Sequence, residues 1–471
     1  MLKMVQFDVI RTIEGAYKMI NINNLGPITN GNIELNKLSI FIGESGTGKT
    51  YASYTIYSMF EHLQKIHEQF EFFSKQNVDD LLKDHHLSIN YNELQNKITT
   101  LAEDSFLKHR TEIIASTFNV PNSFFENIKI NYSYSDFPNI KLNINPVLSL
   151  FVENEFIEYD DAFYKLNLTI DSNIISLKLT SLGGDPDSVS DRLLDSKKLK
   201  SMLNNWFQKL TSFTNLIYIP AERVGLHVFK DELNKSRLEE YSDLSMSLNN
   251  TPNDIKLDVA TYPKPISSYL NNLNNWIFRD VRILSRKNNK KQKISTVNLL
   301  KGKFEIDRNQ NIYFRENFQK SEVKFSTKKI PFQVSSSTLK SLLGFDLYIK
   351  HALKKGDYLI IDEPELNLHF KSQKEIASIL YQLVKLGVHI ILSTHSDYLV
   401  RELVNLELQN YIENKKDYVN SISCMYFNEK SIQILDDFKR NTFIENFDLS
   451  YTNVESNYYD LLDKIEEIEH D

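Results

Sequence analysis

Cysteine is almost absent from this chain. The single Cys424 leaves no partner for an internal disulfide, excludes a cysteine-built zinc site and suits a reducing compartment. Its plain reading is a small buried apolar residue ahead of Met425. Long apolar runs are missing too: nothing approaches the ~20 residues of a membrane-spanning helix. Met1–Ile20 carries scattered charges instead of a signal-peptide core, so a soluble, cytoplasmic protein without a membrane partner is expected. A net charge of −7 argues against a protein that coats nucleic acid over its whole surface, while a local basic patch stays open. Internal repeats are absent. Hydrophobic content of 41% and aromatic content of 12% fit a folded globular chain of one large core or two to three domains.

Glycine is scarce, with 13 in 471 residues, yet three fall within Gly43-Glu44-Ser45-Gly46-Thr47-Gly48-Lys49-Thr50. The octapeptide follows the apolar run Leu38–Ile42 and leads into the helix-compatible stretch Tyr51–Gln64, the strand, glycine loop and helix order of a P-loop. Glycines let successive backbone N–H groups turn toward phosphates, and the helix N-terminus adds its positive dipole end. In that reading Lys49 reaches the β- and γ-phosphates, and Thr50 sets its hydroxyl on Mg²⁺.

A second set of polar residues lies far downstream. Tyr358–Ile361 is a short apolar strand ending in Asp362-Glu363. Beside a P-loop strand, Asp362 would hold Mg²⁺ and Glu363 would act as general base toward the attacking water. A helix with Ile376, Ile379, Leu380 and Leu383 on one face stops at Gly387. The strand Val388–Leu392 then delivers Ser393-Thr394-His395-Ser396-Asp397 to its C-terminal end, where open α/β sheets gather ligand-contacting groups. His395 could there bond the γ-phosphate or the attacking water. Upstream, Val334–Thr338 opens a helix carrying Leu342, Phe345, Ile349 and Leu353. Its hydroxyls at Ser335, Ser336 and Ser337 suit either an anion site or an ordinary N-cap.

These parts, in this order, resemble the ABC-type ATPase heads. They are most similar to the ATPases grouped with the SMC and OLD families, often labelled AAA-family ATPases in bacterial genomes. The resemblance rests on Gly43–Thr50, Ser335–Ser337, Asp362–His369, Ser393–Tyr398, the segment Tyr218–Arg223 and an opening hairpin at Ile20–Ile28. It departs at Ser337, where the wider class has glycine, and at Phe370, where the group has proline. The resemblance implies an α/β P-loop NTPase of ABC-type head form: a mixed central sheet, an antiparallel β-layer and a largely helical insertion. It also implies ATP and Mg²⁺ as ligands, and a dimer in which the P-loop of one protomer faces Ser335–Ser337 of the other.

Between the two halves, Tyr51–Phe118 reads as mostly helical and Phe125–Leu182 as short strands forming the β-layer. Ser190–Leu210, Leu226–Leu248 and Ile266–Arg286 read as helices, and Lys303–Asp307, Asn311–Arg315 and Glu322–Ser326 as returning strands. The expected division is 1–60 (head with the P-loop), 61–124 (helical insertion), 125–225 (β-layer and a strand returning to the head), 226–300 (helical arm with a basic loop), 301–435 (rest of the head) and 436–471 (acidic helical tail). The basic run within 282–303 (Arg282, Arg286, Lys287, Lys290, Lys291, Lys293, Lys301, Lys303) is a nucleic-acid candidate through phosphate neutralisation, or simply a solvated loop.

The leading expectation is an ATP-hydrolysing switch whose nucleotide-driven dimerisation, or higher assembly, controls a separately encoded effector. The resemblance places such proteins in phage defence or DNA maintenance. The alternatives are an OLD-like nuclease, a scaffold that binds ATP without turnover and a membrane-transporter ATPase.

Overall fold

The computed structural model describes residues 19–144, 156–159, 162–171, 173–181, 196–236, 262–284, 294–316, 329–414 and 421–435, together with 456, 458, 459 and 461. A large mixed sheet organises the molecule. Its strands, numbered along the chain, are β1 (Met19–Leu25), β2 (Ile28–Glu34), β3 (Leu38–Gly43), β4 (Lys129–Asn131), β5 (Leu216–Ile219), β6 (Tyr358–Asp362), β7 (His389–Ser393), β8 (Ile422–Phe427) and β9 (Ser431–Ile434). They lie in the order β5-β6-β7-β3-β8-β9-β2-β1-β4. The strands β5, β6, β7, β3 and β8 run parallel, and the flank adds antiparallel pairs at β8–β9, β1–β2 and β1–β4.

The parallel strands read as unbroken apolar runs because both of their faces are covered: every residue of β3, β6 and β7 is buried. Their side chains alternate between two cores. Phe41, Ile360 and Ile391 join a cluster with Ala52, Ile56, Met59 and Phe60 of the P-loop helix Lys49–Gln69. Ile40, Ile42, Leu359, Ile361 and Leu392 join a second cluster on the opposite face. That cluster takes residues from the helices Lys264–Leu284, Ser337–His351, Phe370–Lys385 and Asp397–Glu413. The fold is therefore α/β, with helices on both faces of a mixed sheet and small antiparallel sheets beside it.

Several elements match the reading of the sequence. The opening hairpin is β1–β2, and Leu216–Ile219 is a strand. Helices occupy Ser196–Leu210 and Lys264–Leu284, and strands occupy Gly302–Ile306 and Ile312–Glu316. Cys424 is fully buried, as its plain reading requires.

Others differ. The helical stretch after the P-loop is interrupted by a strand, His86–Asn90, reached through His85 in the left-handed conformation (φ 54°). That strand pairs with Ile174–Ser181, whose own partner Ala162–Asp171 pairs onward with Phe156–Tyr159. The expected single β-layer is thus divided. Lys129–Asn131 extends the main sheet at its edge, Leu142–Ile144 pairs with Thr211–Phe213, and the rest forms this four-stranded sheet. The helix expected from Leu226 starts at Arg223 and breaks at Phe229. Leu353 falls beyond the helix Ser337–His351 that was expected to carry it.

The strand expected at Glu322–Ser326 lies outside the described residues, as do Arg286, Lys287, Lys290, Lys291 and Lys293 of the basic run. So does the acidic tail, apart from single positions such as Leu461, which is half exposed. Among the described residues no helix is long and apolar enough to cross a membrane.

Candidate functional site

The glycine loop leaves β3 and wraps over the start of the helix Lys49–Gln69. Gly43, Gly46 and Gly48 adopt φ of 143°, 82° and 105°, values that favour glycine over any residue with a Cβ. At Gly48 a Cβ would lie 2.7 Å from Ile28 Cγ1, and at Gly43 it would lie 2.1 Å from the Phe427 carbonyl oxygen. At Gly46 nothing lies within 4 Å. The loop is closed by Thr47 Oγ1 donating to Glu44 O at 2.8 Å. Glu44 and Ser45 are exposed. The helix starts from Gly48 with no side-chain cap and no acidic residue in its first turn. Its N–H groups and dipole are therefore left for an anion.

Lys49 is buried, and its Nζ donates to Gly43 O and Glu44 O, both at 2.8 Å. Burial lowers its pKa to about 8, against the opposing pull of Glu363, Asp362, Glu365 and Glu44. The ammonium is thus the cation of an acidic pocket. Thr50, on the first turn, is exposed.

The β-sheet brings the downstream carboxylates to this loop. β7 lies between β3 and β6, with Ser393 opposite both Phe41 and Asp362. Asp362 is buried, and its carboxylate accepts from Ser393 Oγ at 2.7 Å and from the Tyr218 hydroxyl. Burial raises its pKa to about 6, although both hydroxyls favour the charged form. Glu363 follows with φ 46°, a left-handed conformation uncommon for a non-glycine residue. Its N–H donates to Ser393 O at 2.9 Å. Its Oε1 stands 3.8 Å from His395 Nε2, with both side chains about one-third exposed. Burial, then the Lys49 ammonium, hold His395 below the ordinary imidazole value, while Glu363 pulls it up.

Glu365 links two of these loops. Its Oε1 accepts from Thr394 Oγ1 at 2.7 Å and from the His395 N–H at 2.9 Å. Its Oε2 is a buried oxygen without a hydrogen-bond partner, and burial raises the carboxyl's pKa.

The structure thus gathers Gly43–Thr50, Asp362, Glu363 and His395 at one end of the parallel strands. The serines sit apart, in the segment leading into the helix Ser337–His351. Ser336 is its N-cap, accepting from Leu339 N at 3.3 Å, and buried Ser335 donates to Pro331 O at 3.2 Å. Ser337 is exposed. The N-cap reading therefore describes Ser336 in this structure. Thr338 Oγ1 donates to Asn367 O at 2.7 Å and ties this helix start to the loop that follows Glu363.

Two residues of the site escaped the reading of the sequence. Tyr218, on β5, holds Asp362. Arg223 is buried and donates to the carbonyls of Asp362, Glu363, Pro220 and Ser341. In the sequence, Tyr218–Arg223 reads only as a strand and loop. Arg223 bonds main-chain carbonyls, which leave no residue pattern at the far end, so spacing could not have found it.

The residues present suit Mg²⁺ beside a triphosphate. Two hydroxyls hold the buried Asp362 carboxylate, and a further hydroxyl is offered by Thr50. Magnesium is commonly bound through one or two carboxylates plus phosphates and waters, without a full protein cage. Among the described residues no group of three or more His, Cys, Asp or Glu could hold a metal by itself.

Set against known proteins, the chain matches the family described as AAA ATPase domain over residues 18–400. No curated protein matches it. Among solved structures it is similar to an SMC head domain from Thermotoga maritima, with 10% identity over 89% of this chain and 98% of that one and a TM-score of 0.31. It is also similar to an Smc head bound to the C-terminal winged-helix domain of ScpA, with 9% identity over 89% and 97% and a TM-score of 0.30. A third is an Smc head with an extended coiled coil bound to the C-terminal domain of ScpA, derived from Pyrococcus furiosus. It shows 11% identity over 89% and 95%, with a TM-score of 0.29.

Proposed function

The chain belongs to the AAA ATPase domain family, and from that premise we propose that it binds and hydrolyses ATP at Gly43–Thr50, Asp362, Glu363 and His395. The observation that carries the reading is the acidic pocket around Lys49, a buried ammonium within the fields of Asp362, Glu363 and Glu365 at a bare helix N-terminus. In this reading the loop N–H groups and Lys49 bind the phosphates, and Thr50 and Asp362 hold Mg²⁺. When bound, Mg²⁺ would neutralise charge on the phosphate oxygens. Glu363 takes a proton from the attacking water, and His395, neutral near pH 7, bonds the γ-phosphate or that water.

We further propose that ATP closes two copies of the chain on each other and that hydrolysis reopens them. Val334, just ahead of Ser336 and Ser337, is 72% exposed, and Phe370 (61%) and Tyr398 (38%) are exposed with their rings 5.4 Å apart. A second copy would cover these apolar groups. Control of a separately encoded effector in phage defence or DNA maintenance, in the cytoplasm, completes the proposal and rests on the resemblance of the motifs.

Light scattering tests the switch. Glu363→Gln should bind ATP and accumulate as dimer, reverting to monomer when nucleotide is removed, whereas Lys49→Ala should stay monomeric. A Glu363→Gln protein that remains monomeric with saturating ATP would refute the dimerisation reading.

A further inference from the structure

We propose that Arg223 is a positioning residue: it fixes the aim of Glu363 and passes to it any displacement of the helix that carries the Ser335–Ser337 segment. The inference rests on the reading of Glu363 as general base.

Arg223 is 2% exposed. Its guanidinium spends its donors on main-chain oxygens of three separate segments. Nη2 reaches Glu363 O at 2.7 Å, Nη1 reaches Asp362 O at 2.9 Å and Pro220 O at 3.1 Å, and Nε reaches Ser341 O at 3.1 Å. Burial lowers its pKa, with the charges of Glu365, Asp362 and Glu363 opposing that effect from a distance. Burying a guanidinium costs several kcal/mol, and an apolar side chain of similar volume often serves stability as well or better. The pattern of acceptors gives this residue a more specific task.

Glu363 shows what is being held. Its left-handed backbone is strained for a residue with a Cβ. That conformation is gripped at both of the residue's main-chain polar groups, the N–H by Ser393 O and the carbonyl by Arg223 together with the Leu366 N–H at 3.0 Å. Without Arg223 the carbonyl keeps only the local Leu366 turn bond, and the residue can relax toward negative φ, which swings its carboxylate away from His395 and Lys49.

The other end of the guanidinium is anchored to the helix Ser337–His351. The neighbouring carbonyl, Lys340 O, contacts His227 Nδ1 at 2.6 Å, and His227 Nε2 contacts the Tyr269 hydroxyl at 2.6 Å. Gly344 sits so close that an added Cβ would lie 1.7 Å from that hydroxyl oxygen. The helix therefore cannot shift without carrying the short helix Arg223–Val228 with it. The Thr338–Asn367 bond supplies a second tie in the same direction. A helix pulled by a partner's nucleotide would be felt at Glu363.

A double-mutant cycle on steady-state turnover tests the assignment. Arg223→Lys keeps the charge but loses the fork that spans three segments. It should lower kcat roughly 10- to 100-fold, the cost of a small misplacement at the reacting group, with ATP affinity held within about twofold. In a Glu363→Gln background the same change should cost less than about twofold, because there is no base left to aim. If Glu363→Gln turns over like wild type, the base assignment fails and this inference falls with it. If Glu363→Gln is slow but the two losses multiply, or ATP affinity falls with kcat, this inference alone is overturned. Should the lysine variant not fold, hydrogen exchange on the wild-type chain decides. A non-hydrolysable ATP analogue should slow exchange in 337–345 and in 362–366 by comparable factors, and slowing confined to 362–366 would refute the coupling.

Discussion

The depressed pKa of Lys49 makes ATP affinity depend on pH in a calculable way. In the unliganded protein Lys49 loses its proton at about 8 because burial outweighs four neighbouring carboxylates. Only the ammonium form can pair with phosphates, and the bound triphosphate raises the lysine pKa far above 8. Binding above that value must therefore take up a proton. The dissociation constant should follow 1 + 10^(pH − 8), so it rises roughly tenfold from pH 7 to pH 9. The Asp362 carboxyl titrates at about 6, the His395 imidazole below its ordinary value, and the site tyrosines Tyr54 and Tyr218 well above this window. Isothermal titration in buffers of different ionisation enthalpy should report uptake of roughly 0.9 proton at pH 9 and roughly 0.1 at pH 7. Lys49→Arg supplies the control, since a guanidinium keeps its charge throughout; its affinity should be weaker but flat with pH. Wild-type affinity unchanged between pH 7 and 9, with no proton uptake, would refute the assignment of Lys49 as the phosphate cation.

Lys49→Ala should lose ATP binding by at least ~100-fold, read by equilibrium titration, since it deletes a charge-assisted phosphate contact at a buried position. Gly48→Ala should lower the melting temperature much more than Gly46→Ala. The first meets Ile28 at 2.7 Å, whereas the second meets nothing within 4 Å and incurs only its φ of 82°, roughly 1 kcal/mol. Tyr218→Phe removes a donor that favours ionised Asp362, whose pKa is already raised to about 6. The acidic limb of kcat/KM should move to higher pH in that variant, and an unmoved limb would separate Asp362 from metal binding.

The sequence disclosed the parts of this site that follow from local rules. Three glycines in eight residues can only be a loop of unusual φ, and an apolar strand ending in Asp362-Glu363 must deliver its carboxylates to the C-terminal end of the strands. The periodicity of Ile376, Ile379, Leu380 and Leu383 announced a helix, which the structure places over Phe370–Lys385. Long-range pairings were not legible. His86–Asn90 alternates over only five residues between two helices, too short a run to stand out, and it becomes a strand because Ile174–Ser181 offers an edge to pair with. The division of the expected β-layer has the same cause, since short alternating strands do not encode which neighbour they choose. Arg223 was hidden more deeply still: its partners are carbonyls up to 140 positions away, and any residue type presents a carbonyl.

Phosphate release by purified protein, with Mg²⁺ and saturating ATP, tests the central claim most directly when wild type and Glu363→Gln are compared at equal ATP occupancy. Wild type should turn over measurably, and the variant should lose about 10²-fold or more. Equal rates for the two proteins, or no release by either despite full occupancy, would contradict it.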